Sequence, residues 1–279
     1  MTILVTGATG TVGRSVVEQL VARGEKVRAL TRDPAAASFP DGVEVARGDL
    51  SDPAGLAPAF EGVTAVHLYT LNGTEALETG AEIVALAVKA GVRRATVLSS
   101  WEENSVEEAL RASDLPWTQL QGVEFMNNAY IDWADSIAAE GVVRVFGNQP
   151  SAVVHEADIA AVAVAALTGP GHEGEVYMIT GPEALTTEER VRILGRAMGR
   201  ELRFEQLTEQ QLRDQMASWG AEPDYIEFAV QLGLNMPEAG KTVLPTVEAV
   251  TGRPARTFAR WAAENADRFR DHQVQQAAW

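Results

Sequence analysis

The sequence contains no cysteine. Disulfides, zinc–thiolate centres and cysteine nucleophiles are therefore excluded, and a chain without thiols fits a reducing compartment. Basic residues are scarce: 23 Lys and Arg stand against 39 Asp and Glu, a formal net charge of −16. Such a surface repels phosphate backbones and anionic headgroups, which argues against nucleic-acid and membrane partners. It still permits a local basic pocket for one phosphate. No stretch approaches the roughly 20 apolar residues that cross a bilayer. The chain enters a strand-like segment at Ile3–Thr6 with no charged leader or cleavage site, so a cytoplasmic location is expected. No metal-ligand spacing is evident, and no metal is expected.

Within these limits 279 residues, 46% of them apolar, suffice to bury a core without staples. Short β-branched runs alternate with amphipathic patterns. Strands are expected at Ile3–Thr6, Val27–Thr31, Val43–Ala46, Ala65–Tyr69, Ala95–Ser99 and Trp117–Leu120. Helices are expected at Val12–Ala22, from about Glu75 to Ala90, and at Glu102–Ser113. This order implies βαβ crossovers and a Rossmann-type, doubly wound parallel α/β sheet. Further strands are expected at Val142–Phe146 and Val176–Ile179, with Asp158 capping a helix over Ile159–Leu167. From Thr187 onward the chain reads as mainly helical. One compact Rossmann-type unit over 1–279 is expected, in which residues of about 122–145 and 180–279 form a smaller, mainly helical substrate lobe. Gln273–Trp279 reads as a fraying end.

The strongest local signal is Thr6-Gly7-Ala8-Thr9-Gly10-Thr11-Val12-Gly13, a G-x-x-G-x-x-G spacing between a strand and a helix. Gly7 permits the tight turn, Gly10 lets backbone approach a pyrophosphate, and Gly13 lets helix and strand pack closely. The amides of Thr9 to Gly13 at the helix start then offer donors and a partial positive charge to phosphates. The plain alternative is a glycine-rich turn without ligand. The second strand ends Thr31-Arg32-Asp33-Pro34, where an NAD-preferring site usually has a carboxylate for the ribose 2′-hydroxyl. Arg32 is instead suited to a 2′-phosphate, with Arg14 assisting, so NADPH is the expected cofactor. Asp33 leaves a second option open, partnering a ribose hydroxyl or neutralising Arg32. Asp49 in Gly48-Asp49-Leu50 suits the adenine amino group, with Leu50 packing on the ring, or else a helix cap ahead of Leu56.

These residues resemble the NmrA-like branch of the atypical short-chain dehydrogenase/reductase superfamily. The resemblance is carried by the glycine segment through Arg14, by Arg32, and by Gly48-Asp49-Leu50. Glu107–Thr118, Asp158-Ile159-Ala160 and Val250–Phe258 extend it over nearly the whole chain. It implies an NAD(P)-binding fold and a mixed set of activities: quinone and ketone reductases, relatives of isoflavone reductase, and regulators that bind dinucleotide without turning it over. Fold likeness alone does not choose among them. Two departures stand out. The region 99–107, Ser-Ser-Trp-Glu-Glu-Asn-Ser-Val-Glu, has neither the Tyr nor the Lys of the usual Tyr-x-x-x-Lys pair. Gln121 stands where relatives commonly have Arg-Pro before the glycine.

Candidate chemistry follows from strand ends, because open α/β sheets bind ligands there. The proton could come from water, from Ser100 or from Tyr69; the alternatives are that Ser99 and Ser100 simply bond backbone or ribose, and that Tyr69 stacks near the nicotinamide or merely packs. His155 is a third candidate donor, since an imidazole titrates near neutrality, with support of the fold as its alternative. Glu124, Phe125, Met126 and Asn127 follow the sixth strand and are expected to line a substrate pocket, or else to pack a helix start. Glu124 is also a candidate acid if burial raises its pKa. His67 reads as a core imidazole, His172 and His272 as surface residues, and Glu102, Glu103, Glu107 and Glu108 as a solvated helix face. The expected function is NADPH-dependent reduction of a planar aromatic ketone or quinone-like molecule, with secondary metabolism as the expected setting. The alternatives are a non-catalytic dinucleotide sensor and a cofactor-retaining enzyme of cyclisation or isomerisation. The expected partner is a small-molecule substrate, and the expected state a monomer or homodimer.

Overall fold

The computed structural model describes residues 1–72, 75–99 and 103–272. In chain order the elements begin β1 (Thr2–Val5), α1 (Thr11–Ala22), β2 (Lys26–Thr31), β3 (Glu44–Arg47) and α2 (Ala57–Phe60). There follow β4 (Ala65–Tyr69), β5 (Leu71–Asn72), β6 (Glu75–Ala76), α3 (Gly80–Lys89), β7 (Ala95–Leu98), α4 (Ser105–Arg111) and β8 (Trp117–Gly122). The remainder holds α5 (Asn128–Glu140), β9 (Val142–Phe146), α6 (Glu156–Thr168), β10 (Val176–Ile179), α7 (Thr187–Met198) and β11 (Arg203–Leu207). Last come α8 (Glu209–Ser218), α9 (Pro223–Leu234), α10 (Glu238–Lys241), α11 (Thr246–Thr251) and α12 (Phe258–Arg270).

These elements divide into two compact units. One comprises Met1–Gly122, Glu156–Ile179 and Thr246–Arg253; the other Val123–His155, Thr180–Pro245 and Pro254–Trp279. The first unit carries a seven-stranded sheet in the order β10-β8-β7-β4-β1-β2-β3, with every pairing parallel. Successive strands step outward from β1 to β2 and β3, then jump back across β1 to β4. The order therefore reverses between β1 and β4, and the carboxyl ends of those two strands flank the switch point. Strand alternation sends Leu4, Val66, Leu68 and Val97 into one buried cluster with Ile83 and Ala87 of α3 and Val106 and Leu110 of α4. On the other face α6 packs on α1 and against β4, β7 and β8. That position makes α6 apolar nearly all round, as a helix buried on several sides must be.

The second unit has its own core, in which Trp133 and Ile137 of α5, Val143 of β9, Leu194 of α7 and Phe258, Trp261 and Phe269 of α12 pack together. Its β9 and β11 form a two-stranded parallel pair, with Val142 opposite Arg203.

Four expectations need correction. The helix expected from about Glu75 begins at Gly80, because Glu75–Ala76 pairs antiparallel with Leu71–Asn72. The helix expected from Glu102 begins at Ser105, where Asn104 caps it by accepting from the Val106 amide. Glu107, expected in solvent, is 0% exposed and accepts from the Asn104 amide, closing a capping box. Asp158 lies inside the first turn of α6, which starts two residues before it at Glu156. Among the described residues no helix is long and apolar enough to cross a membrane.

Candidate functional site

At the switch point the chain leaves β1 through Thr6, whose hydroxyl donates to the His67 carbonyl and accepts from the Tyr69 amide. This buried hydroxyl locks the ends of β1 and β4 together. Gly7 then takes a φ of 58°, a left-handed turn that a side chain resists. Tyr69 packs directly over it: a Cβ on Gly7 would stand 3.2 Å from the Tyr69 Cβ. Gly13 is the tightest point, since a Cβ there would lie 2.1 Å from the Gly7 carbonyl oxygen. Gly10 is exposed, with only the Gly7 oxygen, at 3.2 Å, near its missing Cβ.

Gly10 is also the N-cap of α1. It supplies no side-chain cap, and the first turn holds no acidic residue. The first amides of a helix lack intrahelical acceptors, so this end presents donors and the positive end of the helix dipole. Thr9 and Thr11 are exposed around it, while Val12 and Gly13 are buried beneath. The arrangement fits a diphosphate: glycine removes the side chains, and nothing acidic competes.

One strand over, Arg32 and Arg47 line a cavity of about 310 Å³ together with Gly48, Asp49, Asp52 and Leu56. Arg47 was not among the residues expected; its signal in the sequence was a cation at the end of a strand, beside Gly-Asp. Asp33, left open above, is committed to its own loop, where its carboxylate accepts from the Ala35 and Ala36 amides. The Arg14 guanidinium reaches the Ser38 carbonyl at 3.5 Å, placing it at the same loop. Asp49 accepts from both the amide and the hydroxyl of Ser51. Those bonds, with the Arg32 charge adding, hold its carboxyl below the ordinary range. Leu50 is partly buried against the core cluster, and its carbonyl accepts from Thr79.

The candidates for chemistry are differently placed. Tyr69 is half-buried, and burial pushes its phenol above the ordinary value. Ser99, at the end of β7, accepts from the Gln119 amide at 3.1 Å. Ser100 lies outside the described residues, as do Trp101 and Glu102. His67 is fully buried with Nδ1 2.8 Å from the Thr96 hydroxyl, and burial drives its pKa down to about 4. In the second unit, the Nε2 atom of His155 lies 3.0 Å from a Glu264 carboxylate oxygen, and the ring is 8% exposed. Glu124 is tied to the buried Arg190 guanidinium at 2.5 Å, so its carboxylate serves as an acceptor. Arg190 also bonds Thr187 and lies over the Trp133 ring. Met126 is 1% exposed inside the second core, the packing alternative left open by the sequence. Phe125 bridges to Val154, and the Asn127 side chain accepts from Arg268. His272, expected at the surface, is instead mostly covered and bridges Tyr130 and Asp135. Among the described residues no cluster of side chains could hold a metal ion.

The chain is similar to several known proteins. A (4-alkanoyl-5-oxo-2,5-dihydrofuran-3-yl)methyl phosphate reductase of Streptomyces griseus subsp. griseus is 41% identical over 282 residues, covering 96% of this chain and 99% of that protein. An NAD(P)H azoreductase of Xenophilus azovorans is 35% identical over 96% of this chain and 99% of its own length. The crystal structure of an NADPH-dependent quinone oxidoreductase from Escherichia coli, complexed with NADPH, superposes with a TM-score of 0.77 at 24% identity, over 94% of this chain and 99% of that one. That likeness speaks for the fold. Residues 1–236 match the NmrA-like family, and the chain belongs to it.

Proposed function

We propose that this protein is an NADPH-dependent reductase of a planar, conjugated small molecule such as an aromatic ketone or a quinone-like compound. The observation that carries the reading is the open, glycine-lined start of α1 at the switch point of the sheet, with Arg32 beyond the neighbouring strand. Gly7 to Gly13 would receive the diphosphate, Asp49 and Leu50 the adenine, and Arg32 the 2′-phosphate. Support comes from the relatives' names, which describe reduction of an alkanoyl-oxo-dihydrofuran phosphate and of azo compounds. The second unit, with Glu124, Phe125 and Asn127, is the part we assign to substrate recognition.

Bound NADPH supplies the hydride, and the chain's task is to orient the acceptor and manage one proton. The usual Tyr-Lys pair is absent from 99–107. Tyr69 keeps its proton because burial raises its phenol, which suits it to packing over the Gly7 turn. A conjugated acceptor fits this site, because its reduced anion spreads charge and takes its proton from solvent or from a serine at a strand end.

The test is purified protein with NADPH and a panel of quinones, aryl ketones, an azo dye and an acyl-butenolide phosphate, followed by loss of reduced-nicotinamide absorbance. Consumption on at least one panel member is expected. Tight NADP⁺ binding with no consumption on any would replace the reductase with a dinucleotide sensor. Absence of binding in calorimetry would remove the reading altogether.

A further inference from the structure

The cavity beyond β2 is lined by two arginines, and only Arg32 has been given work. The other is placed by the sheet itself. β2 and β3 run parallel with Thr31 opposite Arg47, and the next amide, of Gly48, donates to the Thr31 carbonyl at 3.0 Å. Gly48 is pressed into the core: a Cβ there would lie 2.4 Å from the Leu56 Cδ2 and 2.8 Å from the Leu30 Cδ1. Only glycine fits at 48, and the register holds Arg47 at the carboxyl end of β3, alongside the residue that follows β2.

The electrostatics point the same way. Arg47 is exposed, and its guanidinium has no hydrogen-bond or ion-pair partner among the described residues, although two carboxylates line the same cavity. Asp49 is already satisfied by Ser51, which removes its need for a cation. In a chain of net charge −16, an uncommitted guanidinium beside a second one marks a place built for an anion. The diphosphate is accounted for at α1. An extended dinucleotide lays its adenosine half across the ends of the strands next to β1, where these arginines lie.

We propose that Arg47 is the second arm of a clamp that, with Arg32, grips the ribose 2′-phosphate and sets the preference for NADPH over NADH. The proposal rests on the dinucleotide reading above and adds the residue that decides between the two coenzymes. A doubly charged phosphate offers enough oxygens for two forks, so each arginine makes its own charge-assisted bonds. Loss of either arm then relaxes the preference in part, and loss of both removes it.

Calorimetry of NADP⁺, NAD⁺ and 2′,5′-ADP against wild type, Arg32→Ala, Arg47→Ala and the double variant tests this. Arg47→Ala is expected to weaken NADP⁺ and 2′,5′-ADP by about tenfold or more, the loss typical of a hydrogen bond to a charged group. NAD⁺ affinity is expected to change less than about twofold, because NAD⁺ has no phosphate to lose contact with. Arg47→Lys keeps the charge without the fork and is expected to fall between the two. Arg47→Glu is expected to favour NAD⁺ over NADP⁺, since a carboxylate repels the phosphate and accepts from a 2′-hydroxyl. The clamp is overturned if Arg47→Ala weakens NADP⁺ and NAD⁺ by the same factor, or leaves both unchanged. A wild-type protein that bound neither nucleotide would overturn the dinucleotide reading and the clamp with it, an outcome distinct from either of those.

Discussion

Helices α1 and α7 are both twelve residues long, yet they begin in opposite ways. The first turn of α7 is closed. Thr186 accepts from the Glu189 amide, Glu189 bonds back to the Thr186 amide, and Glu188 adds a second charge beside the dipole. The first turn of α1 has Gly10 at the cap and no acid. A cap of the α7 kind stabilises a helix by about 1 kcal/mol. Its omission leaves the first amides of α1 without a side-chain acceptor, the feature on which the proposed dinucleotide site rests. Buried polar groups in the two units differ in the same spirit. The first unit buries His67, which burial keeps neutral; the second buries the Arg190 guanidinium against the Glu124 carboxylate.

The comparison is broken most severely at Gly13. Gly13→Ala forces a Cβ to within 2.1 Å of the Gly7 oxygen, so the turn must open. Loss of measurable NADP⁺ binding is expected, with destabilisation of about 3 kcal/mol in urea unfolding. Gly10→Ala sharpens the point. Its Cβ would stand 3.2 Å from the Gly7 oxygen, a tight contact but far milder than the 2.1 Å at Gly13, so the fold should lose less while nucleotide affinity falls. If Gly13→Ala binds NADP⁺ as wild type does, α1 is not an anion receptor.

In the second unit the partners of the buried ion pair should be unequal. The Arg190 side chain is 6% exposed and that of Glu124 30%. Glu124→Ala strands a guanidinium away from water, at an expected cost of about 3 kcal/mol. Arg190→Met leaves a carboxylate that water can reach and a stem that still packs on Trp133, so about half that cost is expected. Chemical denaturation of the two variants checks the order; equal losses would mean that packing, not charge burial, dominates the pair.

The sheet was legible because its strands are continuous β-branched runs bounded by turns; Ala65–Tyr69 is found with the bounds its composition suggests. The glycine cradle was legible because each glycine answers a local demand. What escaped depends on distant partners. Glu75–Ala76 carries a helical pattern, but the start of α3 is fixed by α4, whose Ser105 backbone would stand 2.2 Å from a Cβ on Gly80. β11 is a short strand that pairs with β9, far back in the chain. Glu107 did carry a usable signal, Asn104 three residues before it, which marks a capping box where a charge count suggests solvent. Arg47 is the most instructive omission. Its role depends on the β2–β3 register, which places a residue of one strand end beside the next.

The neutral imidazole of the first unit gives a pH signature. His67 titrates near 6.5 when unfolded and at about 4 in the fold. Between those values the unfolded chain binds a proton that the native one refuses, so stability falls as pH drops from 6.5 to 4 and this contribution is complete below 4. The gap corresponds to about 3 kcal/mol at its limit. His67→Asn keeps a polar group near Thr96 without the titration. The wild-type unfolding free energy should fall relative to the variant's as pH drops across that window, and a constant difference would show that the imidazole is not desolvated.

The smallest effect returns to the closed helix. Thr186→Ala removes the side chain that accepts from the Glu189 amide, so α7 loses its side-chain cap, as α1 lacks one, while keeping Glu188 and Glu189 in its first turn. A loss of about 1 kcal/mol is expected, seen as a lower denaturation midpoint with an unchanged m-value. Glu189 is held below its ordinary carboxyl range chiefly by the Thr186 amide and hydroxyl, so its titration should shift upward in the variant. Thr186→Asp is the informative partner, because an aspartate restores an acceptor and adds a charge that the dipole favours, and it should recover most of the loss. The same change at α1, Gly10→Asp, should instead abolish nucleotide binding, since the carboxylate would occupy the place of the phosphate. A Gly10→Asp protein that still took up NADP⁺ would mean that the two helix ends do not differ in purpose.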